Sequence, residues 1–187
     1  MSLPPWTSRG SCRDAETLVS ELFYISGAVA VLATFMVITR TNAVHALLYL
    51  VVSLLAVAMV FVTLGAAFVA ALEVIVYAGA IMVLFIFVIM MLNVGTAGDA
   101  EERHLLAPRF WTGPAFLAAV LLAEFVYLLT RSRNAVIAVR VGPEEVGVAL
   151  FGRYLLGVEL ASLLLMAGLV GAFHLGRRLP KEKEGAQ

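Results

Sequence analysis

The sequence predicts an all-α integral membrane protein with five transmembrane helices. Three observations predict it. Hydrophobic residues make up 62% of the 187-residue chain and charged residues 14%, against roughly 45–50% and 25% in soluble proteins. The apolar residues are gathered into five long runs, and a membrane-spanning helix needs about 20 such residues, with roughly 17 to 25 tolerated. The alternating in-and-out pattern of a membrane β-barrel is absent.

The spans run from about Leu22 to Ile38, Ala43 to Leu64, Ala67 to Leu92, Trp111 to Thr130 and Tyr154 to Gly176. In the first, Ala28-Val29-Ala30 has the small-x-small form of a signal cleavage site, but apolar sequence continues beyond it, so the segment is expected to stay as an uncleaved span. Thr39 to Asn42 forms a short turn and Gly65-Ala66 a tighter one, which makes the first three helices neighbours. Gly113-Pro114 offers the fourth helix a proline-compatible start. Within the polar stretch before the fifth span, Pro143-Glu144-Glu145 followed by Val146, Val148, Leu150 and Phe151 has the composition of a short surface helix, with proline and acids at its start. The domain organisation expected is an N-terminal extension over 1–21, a five-helix transmembrane domain over 22–176 and a polar tail over 177–187.

Charge excludes several functions. The formal net charge is zero and no basic stripe stands out, which argues against nucleic acid and against recruitment to anionic lipid. Cys12 is the single cysteine, so intrachain disulfides, a thiolate-held zinc and a cysteine-held iron–sulfur cluster are excluded. Orientation is not fixed by charge. One side of an odd-numbered bundle carries Arg9, Arg13, Arg131, Arg133, Arg140 and Arg153; the other carries Arg40, Arg103, Arg109, Arg177, Arg178, Lys181 and Lys183.

An ionisable residue at a span centre costs ~2.5–3.5 kcal/mol or more, so each is a functional candidate. There are three: Glu73, Glu124 and Glu159. Counting 1.5 Å per residue places them roughly 7 to 9 Å from the helix ends on the N-terminal side of the membrane. Facing one another they would share protons; otherwise each is solvated near the interface or paired with another subunit. His45 and His174 lack a ligand partner at helical spacing and read as boundary residues. Trp111, Phe110 and Tyr154 read as aromatic belts.

The third span is the most informative. Tyr77 follows Glu73 by one turn, and Val74-Ile75-Val76 precede Ala78-Gly79-Ala80. β-Branching and glycine both weaken an α-helix, and the run is longer than a bilayer needs. A π-bulge fits this pattern, and so does plain close packing of a neighbouring helix on the small residues. In the fifth span Gly157, Ala161, Gly168, Gly171 and Ala172 make a small-residue seam, with Ser162 three residues after Glu159. Such faces imply partner helices.

Asn42 to Tyr49, the run EVIVYAGAIMVLFIFVIMMLN from Glu73 to Asn93, and LFGRYLLGVELASLLLMAGLVGAFHLG from Leu150 to Gly176 together resemble the subunit J family of proton-pumping NADH–quinone oxidoreductase, respiratory complex I. The resemblance covers nearly all of Phe23 to Gly176, and its VYAGA-x-MVLF block is highly specific. It implies a small, multi-pass subunit of a bacterial-type inner (plasma) membrane, packed with subunits of the A, K, H and N types, with its N-terminus outside and its C-terminus in the cytoplasm. It implies a π-bulge in the third helix near Tyr77 and Gly79, about which rotation opens and closes a hydrated proton path. Glu73, Tyr77, Gly79, Val83 and Glu159 are then the proton-path or gating candidates; Glu124 lies outside the family pattern and stands on its membrane position alone. The resemblance implies no catalytic, cofactor or metal site in this chain, while the assembly would use FMN, iron–sulfur clusters, NADH and a quinone. Two other readings remain open: a J-like subunit of a cation/proton antiporter or membrane-bound hydrogenase, and a passive structural scaffold.

Overall fold

Long, predominantly apolar runs without the alternation of a β-barrel have one stable backbone in lipid, because a helix satisfies every peptide group within its own segment. The computed structural model describes residues 7–92, 108–132 and 141–177. These residues form α1 (Thr7–Thr39), α2 (Ala43–Thr63), α3 (Ala67–Leu72), a π-helical segment (Glu73–Ile81), α4 (Met82–Leu92), α5 (Pro108–Ser132), α6 (Pro143–Phe151) and α7 (Leu155–Gly176). Five stretches are long and apolar enough to cross a membrane: Thr17–Thr39, Ala43–Thr63, Ala67–Met91, Trp111–Thr130 and Leu155–Gly176. Residues 93–107 and 133–140 of the polar connections, the first six residues of the N-terminal extension and nearly all of the C-terminal tail lie outside the described residues.

Residues up to Gly142 form one compact unit and those from Pro143 a second. In the first unit α1 and α2 lie side by side. Val29 and Ala33 of α1, Val52, Ala56 and Met59 of α2, and Leu121 of α5 make its buried core. Small residues let the backbones approach, and polar ones then bridge them. Ala33 and Ala56 are fully buried. Thr34 and Ser53 exchange a hydroxyl hydrogen bond of 2.7 Å, and Ser53 also donates to the Ala30 carbonyl at 3.3 Å.

The turn expected at Thr39 to Asn42 is closed by Asn42, whose side chain accepts from the amides of Val44 at 3.0 Å and His45 at 3.4 Å and so caps α2. Arg40, at the end of α1, lies over the Tyr49 ring at 5.5 Å from its centre. At the other end of α2, the Ala66 amide bonds the Phe61 carbonyl at 2.9 Å and the Gly65 amide bonds Val62 at 3.0 Å. That double closure requires a left-handed residue, and Gly65 sits at φ 79°. Gly65→Ala is therefore expected to destabilise the α2–α3 turn by about 1–2 kcal/mol, measurable as a lowered unfolding midpoint of the full chain in detergent. An unchanged midpoint would show that the turn relaxes to another form.

Two boundaries differ from the sequence expectation. Helix α1 begins at Thr7, well before Leu22, so the extension is continuous with the first span over the described residues. Helix α5 begins at Pro108, where a proline costs nothing because first-turn amides have no intrahelical partner. Pro114 is thus inside the helix and does not start it, leaving the Phe110 carbonyl without its usual amide. The preceding Gly113 admits the Tyr49 hydroxyl into the space that a Cβ would occupy.

The second unit pairs α6 with α7. Helix α6 has Glu144 and Glu145 in its first turn, as the Pro-Glu-Glu signal predicts. Helix α7 presents no buried residue, and Gly157, Gly168 and Gly171 have open space where a side chain would stand.

Candidate functional site

Three consecutive β-branched residues crowd the turn before them, and Gly79 adds backbone freedom that α geometry has to give up. The third span answers this with nine π-helical residues, Glu73–Ile81, where the sequence expectation was a single widened turn. The Met82 amide bonds the Tyr77 carbonyl, five residues back, and the Met82 side chain is among the most buried of the described residues. Met82 thus anchors the end of the widened segment, while α3 holds its beginning: the Glu73 amide bonds the carbonyls of Val69 and Ala70. A Cβ added at Gly79 would lie 3.3 Å from the Val74 carbonyl, again five residues back, and nothing from another helix comes within 4 Å.

The side chains of this span are largely outward. Glu73 is half-buried and has no side-chain hydrogen bond among the described residues. Tyr77 is 49% exposed and Val83 61%. The other described helices of this unit do not enclose these side chains. Residues of α2, α3 and α5, with Val74 of the π segment, surround a cavity of about 460 Å³ whose walls are apolar throughout, among them Met59, Val62, Ala70, Leu121 and Phe125.

The three acids do not share one environment. Glu124 is 6% exposed and Oε1 lies 2.6 Å from Ser26 Oγ, joining α5 to α1 across 98 positions of sequence. Ser26 Oγ is also 2.9 Å from the Leu22 carbonyl. Glu124 Oε2 has no hydrogen-bond partner among the described residues. No hydrogen bond joins Glu73 to Glu124 among the described residues; Glu124 is bonded to Ser26 instead. Glu159, in the second unit, is exposed, and Ser162 donates at 2.8 Å to its backbone carbonyl. That bond leaves the Glu159 carboxyl free of Ser162.

Ser26, which Glu124 meets, is a residue that sequence reasoning did not single out. Its only signal was a hydroxyl in an otherwise apolar run, and no spacing rule links it to an acid three spans later. His45 is buried near the start of α2, and no cluster of three metal-ligating side chains occurs among the described residues.

Comparison with known proteins fits this architecture. Residues 26–175 match the family described as NADH-ubiquinone/plastoquinone oxidoreductase chain 6. NADH-quinone oxidoreductase subunit J of Escherichia coli strain K12 is 56% identical over 156 residues, covering 83% of this chain and 85% of that protein. The subunit J of Pseudomonas aeruginosa PAO1 is 56% identical over 162 residues, or 86% of this chain and 98% of that protein. That of Buchnera aphidicola from Schizaphis graminum is 48% identical over 157 residues, covering 83% and 96%. The matched region contains all but the first residues of the first span, the whole π segment and α7 up to Leu175, so the chain belongs to the NADH-ubiquinone/plastoquinone oxidoreductase chain 6 family, among whose relatives are the bacterial J subunits.

Proposed function

We propose that this chain is a membrane subunit of an NADH–quinone oxidoreductase and that its third span gates a hydrated proton path, coupling quinone reduction to proton translocation. The single observation that carries the gating is the nine-residue π segment at Glu73–Ile81. A coupling element must have two arrangements of similar free energy, and a π segment bounded by ordinary α-helix is a local feature with an evident second form. The relatives support the assembly: those compared above are named as subunits of NADH-quinone oxidoreductase. On this reading the flavin, iron–sulfur clusters, NADH and quinone belong to other chains, and this polypeptide contributes no redox centre.

Residues 22–176 form the membrane domain in this proposal, with the N-terminus outside and the C-terminus in the cytoplasm of a bacterial-type inner membrane. The outward faces of the third span and of α7, with Tyr77, Val83, Glu159 and the open glycines upon them, meet neighbouring subunits of the A, K, H and N types and lipid. Glu73 lines the path at the start of the π segment, where it tunes hydration.

The test is Glu73→Gln, which keeps the shape of the side chain and removes its charge. In an assembled complex we expect proton pumping to fall partially while NADH–quinone turnover continues. Complete loss of pumping with continued quinone reduction would make Glu73 an obligatory proton carrier and would replace gating with relay. Undiminished pumping would remove Glu73 from the path.

A further inference from the structure

Outside the third span lies a buried acid that the gating proposal does not use. Ser26 is fully buried and Glu124 nearly so, and Ser26 Oγ touches two oxygens at once: the Leu22 carbonyl at 2.9 Å and Glu124 Oε1 at 2.6 Å. A serine hydroxyl carries one hydrogen, and a carbonyl can only accept. If that hydrogen goes to Glu124, the Leu22 contact holds none, and a full carboxylate charge stays buried with Oε2 bare. No cationic side chain pairs with it among the described residues, and burying an unpaired charge is the costliest arrangement open to a carboxyl group. If the hydrogen goes to Leu22, the 2.6 Å contact requires a hydrogen from Glu124.

We propose that Glu124 and Ser26 form a proton-binding site inside the membrane. Its ligand is one proton, held on Glu124 Oε1 and donated to Ser26 Oγ, while the Ser26 hydroxyl donates onward to the Leu22 carbonyl. Both short contacts are then hydrogen bonds, and the unpartnered Oε2 is the carbonyl oxygen of a neutral acid, which loses far less by lacking a donor than a carboxylate oxygen does. The chain of two bonds ties α5 to α1. Releasing the proton requires the Ser26 hydroxyl to reverse, from Leu22 to Glu124, so occupancy of the site and direction of the bridge change together. This inference is independent of the gating proposal, because it involves no residue of the third span.

The test uses the full chain in lipid bilayers with ¹³C in the glutamate carboxyl groups, studied by solid-state NMR at neutral pH. Loss of one resonance in Glu124→Gln assigns it; if that variant does not insert, the resonance displaced by Ser26→Ala assigns it instead. We expect the Glu124 resonance at the position of a protonated acid, away from that of free glutamate in the same buffer, and we expect Ser26→Ala to shift it. A Glu124 resonance at the ionised position would overturn the proposal. So would a protonated acid indifferent to Ser26→Ala, since the pairing would then be wrong.

Discussion

Gly79→Val is expected to lower coupled turnover by roughly 5- to 150-fold in a complex that still assembles, the range that a coupling bias of ~1–3 kcal/mol produces. The cause is local. A Cβ at this position meets the Val74 carbonyl at 3.3 Å, tighter than ordinary contact, and a β-branched side chain adds two methyl groups to the same turn. The Val74 carbonyl is fixed within the π segment, so accommodation requires the backbone to move. Forcing larger side chains into packed positions costs about 1–3 kcal/mol, enough to hold a balanced two-state element in one of its forms. Native gels would establish assembly, and NADH–quinone turnover and proton pumping would be measured on the same membranes. Unchanged rates would make the third span static packing, and the gating proposal would fail. Gly79→Ala, adding one carbon against the same carbonyl, should fall between wild type and valine.

Gly113→Ala should destabilise the junction of α2 and α5 by about 1–3 kcal/mol, because the new methyl group lands on the Tyr49 hydroxyl. Tyr49 has little freedom to withdraw: it is buried, and Arg40 lies over its ring. A double-mutant cycle checks the mechanism. Tyr49→Phe removes only the oxygen, so combining it with Gly113→Ala should recover much of the lost stability, read as the unfolding midpoint of the full chain in detergent. If Tyr49→Phe gives no recovery, the loss arises in the α5 backbone next to Pro114 and not in the contact with Tyr49.

Much of the fold was legible because lipid removes the usual ambiguities. A predominantly apolar run of about 20 residues, with roughly 17 to 25 tolerated, has one backbone solution, so the five spans and the turns at Asn42 and Gly65 follow from length, capping and glycine alone. The short helix α6 followed from its proline and acids. Val74-Ile75-Val76 and Gly79 left a widened turn and plain close packing both open, and the resemblance to the subunit J family pointed to the widened turn. Its extent was not legible, because the length of a π segment depends on how firmly its ends are held. Here Met82 is buried at one end and α3 continues into the other. Pro114 misled because proline favours a first turn without requiring one, and Pro108 already filled that role.

The site was less legible. Depth counting placed Glu73 and Glu124 at comparable levels but carried no information about azimuth, and in a bundle it is azimuth that decides who meets whom. Glu124 turns toward α1 and finds Ser26, a residue that no helical periodicity connects to it. Glu73 and Tyr77 were selected by type and spacing, which hold along the segment whatever lies opposite; their outward setting depends on the rest of the bundle.

The i→i+5 bonding of Glu73–Ile81 has a consequence for the ledger of peptide groups in lipid. Most backbone rearrangements within a bilayer strand an N–H or a carbonyl in hydrocarbon, where no water can satisfy it. Passing from π to α does not: each amide exchanges an acceptor five residues back for one four residues back, and only the residue squeezed out at a segment end must be absorbed by its neighbours. The number of bonds is conserved nearly throughout. A shape change of this kind is therefore open to a lone span in the middle of a membrane, without water, cofactor or charge to assist it, where unwinding a turn would not be.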